Sequence, residues 1–335
     1  MNVLVTGASG LVGSALVPHL TRAGHRVIEL KRGRVPDASG PPSAIPQGRV
    51  GAPSPTASSS NPPDQSATER RPYPSWDLQT GTVDLAPAGQ IDAVIHLAGE
   101  NIAQRWTPSV KTRIRDSRVR GTELICRAVA DLQPRPRVLL SASAVGYYGN
   151  RGEELLTEER KPGTGFLADL CQEWEAASAP AAQAGLRVAH LRLGVVLDPN
   201  GGALKKMLPA FRAGVAGRVG SGRQYWSWIT LGDTVRAIEF LLNNDTLRGP
   251  FNVVAPTPVR NSDFTKTLAR VLRRPAILPV PGFALRMLLG QMADEALLAS
   301  ARVLPHRLQQ SGFLFAENDL ESALRKLLGK NTLPA

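Results

Sequence analysis

The sequence predicts an α/β protein, a doubly wound parallel sheet with a small, mostly helical C-terminal lobe. Three observations lead there. An apolar run, a glycine triplet and a helical apolar repeat follow one another at the start of the chain. Short apolar runs rich in β-branched residues then alternate with helical patterns, the order that builds βαβ units. Beyond residue 255 helical periodicity prevails. At 335 residues the chain can bury a large core.

The first element sets the rest. Val3-Leu4-Val5-Thr6 reads as a buried strand, and Leu11, Val12, Ala15, Leu16 and Leu20 recur at helical spacing. Between and within them stand Gly7, Gly10 and Gly13. Gly7 lets the chain leave the strand in a tight turn, Gly10 lets backbone approach a pyrophosphate, and Gly13 lets helix pack on sheet. The helix N-terminus, where Leu11 and Val12 lie, favours negative charge. A strand–turn–helix without a ligand has the same outline. The second strand-like run, Arg26–Leu30, supplies the context that favours dinucleotide binding.

The tip of that second strand reads Leu30-Lys31-Arg32. An acidic residue there suits NAD, and basic residues suit the 2′-phosphate of NADP. Glu29 falls short of the tip, where strand alternation turns it to the other face. The expected cofactor is therefore NADP(H), with Arg32 on the phosphate and Lys31 assisting. Residues 34–75 hold ten prolines and eight serines in 42 residues and almost no periodic apolar pattern, so a mobile surface insertion is expected. Ile91–Gly99 is the next buried strand, with Leu97, Ala98 and Gly99 expected beside the adenosine and His96 packed in the core. Residues 108–132 read as a long helix and Arg137–Ser143 as a central strand. A turn with Gly146, Tyr147, Tyr148 and Gly149 follows.

Composition narrows the classes. No apolar run approaches the ~20 residues of a membrane helix, and the glycine fingerprint at residue 7 leaves no room for a leader, so a cytoplasmic protein is expected. Cys126 and Cys171 show no metal-ligand spacing, which predicts reduced thiols and no metal. The net charge of +12 is densest at Lys111, Arg113, Arg115, Arg118 and Arg120. That segment lacks the interleaved aromatics that stack on bases. It reads as a solvated helix with one or two residues turned toward cofactor phosphates. The expected partner is a small-molecule substrate, with no nucleic acid, for a monomer or homodimer.

The order of these elements resembles the extended, epimerase-like branch of the short-chain dehydrogenase/reductase superfamily. The segments Arg192–Asp198, Gly201-Gly202-Ala203, Gly220–Gln224, Trp228-Ile229, Gly249–Val254 and Gly312-Phe313-x-Phe315 are similar to the atypical "epimerase family protein" group. The resemblance covers about residues 1–33 and 76–328. It implies a Rossmann core over 1–255, a substrate-side lobe over 256–330, a tail over 331–335, and Val196 beside the cofactor. It also implies a serine at the end of the central strand, here Ser143, and a Tyr-x-x-x-Lys pair on the next helix. Placed on residues 166–184, that pair becomes Leu167 and Cys171. Leucine has no proton to give, and a short thiol does not replace an ammonium. Arg118 stands where ordinary members have a relay asparagine and is expected at the cofactor's phosphate or ribose oxygens.

Tyr147 or Tyr148, helped by Ser143, is one substitute proton donor, and packing tyrosines is the other reading of the pair. Cys171 is either a reactive thiol or a small buried hydrophobe. Gly217–Trp228, with Ser221, Gln224, Tyr225 and Trp226, is expected to border the substrate, and Asp233 to cap the helix that follows. Helices are also expected over 262–272, 283–301 and 319–328. The expected function is an NADP(H)-dependent oxidoreductase or epimerase-like enzyme. The alternative is an NADPH-binding regulatory protein with little catalysis.

Overall fold

The computed structural model describes residues 1–33 and 73–330. The expected insertion, save its last three residues, and the tail 331–335 lie outside the described residues. The chain opens with β1 (Asn2–Thr6), α1 (Leu11–Arg22) and β2 (Arg26–Arg32), then a small hairpin of β3 (Ser75–Asp77) and β4 (Thr82–Asp84). Next come β5 (Ala93–His96), α2 (Pro108–Ala130) and β6 (Val138–Ala144). Two helices, α3 (Phe166–Ala176) and α4 (Ala179–Gln183), lead to β7 (Arg187–Leu193). The core closes with α5 (Gly202–Arg212), α6 (Leu231–Asn243) and β8 (Gly249–Val253).

The strands form one sheet in the order β8-β7-β6-β5-β1-β2-β3-β4, parallel except for β4. Growth reverses at β1, with β2 on one side and β5 on the other. A crevice therefore opens beyond the carboxyl ends of those strands, where an open α/β sheet binds its ligand. Strand alternation feeds two apolar layers. Val3 and Val5 join Leu16, Leu20, Ile238 and Leu241 on one face, while Leu4 joins Ile28, Leu30, Ile125 and Val129 on the other. Burial on both faces is why β1 reads as a continuous apolar run. Thr107 starts α2 by accepting from the Val110 N–H at 3.3 Å, with Pro108 at the first helical position.

The C-terminal lobe contains α7 (Asn261–Leu272), α8 (Gly282–Leu289), α9 (His306–Gln310) and α10 (Leu320–Leu327). Phe264, Leu268, Leu320 and Leu324 share one core with Leu204 and Leu208 of α5. Among the described residues no helix is long and apolar enough to cross a membrane.

Three local expectations are corrected. The helix expected over 166–184 is two helices, because Pro180 has no N–H for the Ala176 carbonyl and its ring would clash there. The helix expected over 283–301 stops at Leu289, where Gly290 turns to φ +63°, and a π-helical turn, Ala293–Leu297, follows. Asp233 is not the cap of α6. Thr230 is, accepting from the Asp233 N–H at 3.1 Å. The buried Asp233 carboxylate instead takes the N–H groups of Ala316 and Glu317, each at 3.0 Å, so it ties the lobe to the core.

Candidate functional site

The crevice is shaped by what its glycines leave out. Gly7 sits at φ +70°, and a Cβ there would lie 2.8 Å from the Ala98 nitrogen. A Cβ on Gly13 would lie 2.2 Å from the Gly7 carbonyl oxygen, so turn and helix touch through bare backbone. Gly10 begins α1 with no side-chain cap and no acidic residue in the first turn, leaving the helix's positive end uncovered. The opening, about 560 Å³, is bordered by Gly7, Gly10, Leu97, Ala98, Gly99, Lys31 and Arg32. Ser9 and Trp76 join them, neither marked by the sequence. Arg32 stacks over Trp76 at 5.3 Å and Lys31 over Tyr73 at 4.8 Å. Neither cation pairs with a carboxylate among the described residues.

Several expected residues stand elsewhere. Leu11, Val12 and Gly13 do not border the crevice. Leu11 packs toward the Gly201-Gly202 turn and Val12 toward the core, so these three have only backbone N–H groups to offer. Glu29, expected on the other face, does border the crevice, because the strand tip presents both of its edges there. His96 is buried, and burial pushes its pKa down to about 4. Its Nδ1 lies 2.7 Å from Thr6 Oγ1, which also accepts the N–H groups of Leu97 and Ala98 at 3.2 Å each. The Thr6 proton is thereby left for His96 Nδ1, and the crevice floor is fixed.

Leu97 is shared with a second, inner cavity of about 560 Å³, a volume suited to a small molecule. Ser143 and Gly146 form one wall, Leu167, Cys171 and Trp174 of α3 another, and Val196 and Arg118 also reach it. From the expected substrate loop Tyr225, Trp226 and Ser227 border it. Gln224 and Trp228 do not, because they are buried and bonded to the carbonyls of Val219 and Thr257. Ser221 stays on the surface, its Oγ accepting the Arg223 N–H at 3.2 Å. The lobe contributes Glu295, whose carboxylate accepts the Phe166 and Leu167 N–H groups at 3.1 and 2.8 Å. The lobe thus caps α3 from outside its own sequence.

Behind Ser143 lies an ion pair of the half-buried Glu175 and the buried Arg192, which no residue spacing marks. Ser143 Oγ donates to Glu175 Oε1 at 2.7 Å. The same carboxylate takes Arg192 through Nε and Nη2 at 2.8 and 2.9 Å. Burial works against the Arg192 charge, but the hydrogen bonds and charge interactions with Glu175 and Tyr148 together outweigh this and raise its pKa. The only sequence signal was that Arg192 opens a strand-end motif. Its length let it reach α3, which no spacing rule foretells.

Neither of the two tyrosines, Tyr147 and Tyr148, borders the inner cavity. Tyr148 is fully buried, its hydroxyl donating to Asn252 Oδ1 at 2.7 Å and accepting from Arg192 at 3.0 Å. Burial pushes its pKa up to about 12. Tyr147 packs against it and lies under the Arg192 guanidinium, 3.5 Å from the ring centre, away from the cavity walls. Cys171 does face the cavity, but burial, with the nearby Glu175, pushes its thiol up to about 12. It is a neutral S–H.

Comparisons with known proteins bear on this geometry. Residues 3–254 match the family model described as NAD dependent epimerase/dehydratase family. The chain belongs to that family. Residues 280–327 of this family member match a domain of unknown function, DUF1731. It is 41% identical over 323 residues to epimerase family protein Mb2239 of Mycobacterium bovis, covering 96% of each chain. To the chloroplastic SDR39U1 homolog of Arabidopsis thaliana it is 42% identical over 238 residues, 70% of this chain and 68% of the other. The crystal structure of human epimerase family protein SDR39U1 with NADPH superposes with a TM-score of 0.80 at 28% identity, covering 98% of this chain and 99% of that one.

Proposed function

We propose that this family member binds NADP(H) and acts as an oxidoreductase or epimerase-like enzyme on a small substrate in the inner cavity. The observation behind this reading is the pair Lys31 and Arg32 at the β2 tip, beside an uncapped helix N-terminus. Two cations that pair with no carboxylate among the described residues outweigh Glu29 in favour of a 2′-phosphate. The human SDR39U1 crystal structure with NADPH supports the same choice.

The α1 N-terminus and the Gly7–Gly10 turn hold the pyrophosphate, Arg32 and Lys31 the 2′-phosphate, and Leu97–Gly99 the adenosine. Arg118 and Val196 face the nicotinamide side. When bound, the nicotinamide supplies hydride exchange. Of the four candidate catalytic residues, Ser143 is the one that both reaches the cavity and connects to a carboxylate. Because its proton is given to Glu175, its lone pairs are free to accept from a substrate hydroxyl, orienting it. A second reading, cofactor binding with little turnover, is favoured by Leu167 and the neutral Cys171 at the usual Tyr and Lys places.

Affinities of NADPH and NADH for wild type and Arg32→Ala test the cofactor. NADPH is expected to bind more tightly, and the substitution to remove roughly tenfold or more of that preference. Equal binding of the two, unchanged by the substitution, refutes it. Screening carbonyl compounds and nucleotide sugars for NADPH oxidation, with Ser143→Ala alongside, separates the two readings. Turnover lost in Ser143→Ala supports the enzyme, and no turnover at all supports the second.

A further inference from the structure

We propose that Arg118 takes over, from α2, the post that Cys171 leaves without a charge on α3. Its guanidinium grips the nicotinamide-ribose half of the dinucleotide. The inference rests on the cofactor reading above.

The position comes first. Arg118 lines the inner cavity, and a Cβ built on Gly99, a crevice residue, would lie 3.2 Å from its guanidinium carbon. The guanidinium therefore stands where crevice and inner cavity meet, which is where a dinucleotide running from one to the other must pass. Packing fixes it there. It stacks over the Trp174 ring at 5.0 Å. Trp174 and Cys171 are three residues apart, so they share a face of α3. Arg118 lies close enough to Cys171 for each to perturb the other's ionisation, on top of the burial that dominates both.

Its bonding is incomplete. Three arginines of the same helix have carboxylate partners, Arg115 with Glu173, Arg120 with Asp116 and Arg127 with Glu123. Arg118 has none among the described residues. Among the described residues its one hydrogen bond is a 3.3 Å contact from Nη1 to the Ile114 carbonyl. A guanidinium has five N–H donors, and a charge withdrawn from water without a partner is costly. Donors left open on a cavity wall call for a ligand rich in acceptor oxygens. Vicinal ribose hydroxyls with their adjoining phosphate meet that need, and a planar fork suits them. Cys171, short and neutral, leaves the guanidinium its room.

Titration with two probes tests this, 2′,5′-ADP carrying only the adenosine half and NADPH carrying both. Arg118→Ala is expected to weaken NADPH roughly ten- to a hundredfold and to leave 2′,5′-ADP unchanged. Arg32→Ala is expected to weaken both. Adding Cys171→Lys to Arg118→Ala returns the cation from the other helix and should restore at least tenfold of the lost NADPH affinity. Should Arg118→Ala fail to fold in a thermal melt, Arg118→Gln serves in its place. NADPH affinity unmoved by the substitution, an equal loss for 2′,5′-ADP, or no restoration by the lysine overturns the assignment. Wild-type protein that binds neither probe overturns the cofactor reading itself, and this inference with it. Failure of the inference alone leaves the Arg32 effect standing.

Discussion

Replacing Glu175 with leucine is expected to be among the more damaging single changes in the core. Three short hydrogen bonds disappear together, from Arg192 Nε and Nη2 and from Ser143 Oγ. The Arg192 side chain is 3% exposed, so water does not replace the carboxylate. What remains is one bond to the Tyr148 oxygen at 3.0 Å and a 3.4 Å contact to the Glu158 carbonyl. Breaking a buried pair from one side costs about 3–5 kcal/mol. That is about a fifth or more of the ~5–15 kcal/mol that holds a typical domain folded. Urea unfolding of Glu175→Leu, Arg192→Leu and the double variant gives the measurement. The double variant is expected to cost at least ~1 kcal/mol less than the sum, since neither charge is then left alone. Single losses below ~1 kcal/mol, or strict additivity, would show that solvent reaches the pair and that the network is not what orders Ser143.

Other consequences follow from the same structure. Gly13→Ala forces a methyl to within 2.2 Å of the Gly7 oxygen and should cost about 1–3 kcal/mol of stability. Gly10→Ala, whose methyl would meet that oxygen at 3.2 Å, should change the urea midpoint far less. Cys171, raised from 9.0 to about 12, should react with a thiolate-directed maleimide roughly a thousandfold more slowly than an unperturbed thiol at neutral pH, and labelling at the free-thiol rate would contradict the burial argument. His96 has a folded pKa of about 4 against 6.5 ordinarily, so the unfolded chain takes up the proton first. Its contribution is complete above pH ~6.5 and declines by roughly 3 kcal/mol as pH falls to ~4. His96→Gln should remove that slope from the pH dependence of the urea midpoint, and a difference between the two proteins that stays constant across the window refutes it.

The sequence by itself determined the doubly wound core, because its signals are local. A strand buried on both faces must be a continuous apolar run, as Val3–Thr6 is, and a turn that admits no Cβ must be glycine, as Gly7 and Gly13 are. Arg32 at a strand tip and Thr6 or Ser143 at strand ends follow from register alone. Tertiary structure decided everything that depends on which side chain reaches across from another element. Tyr148 and Ser143 are near neighbours in sequence, yet Asn252 and Arg192, more than 40 residues away, draw one into the core, while Glu175 anchors the other at the cavity wall. Asp233 looked like a helix cap because sequence shows a carboxylate beside its own helix and not the lobe backbone that claims it. Arg118 was legible as one cation in a basic helix. That it alone of Arg115, Arg118 and Arg120 forms no ion pair among the described residues became visible only when α2 was packed against Trp174 and Cys171. Local geometry is written in residue spacing, whereas the partner of a long polar side chain is set by distance through space, which spacing along the chain does not encode.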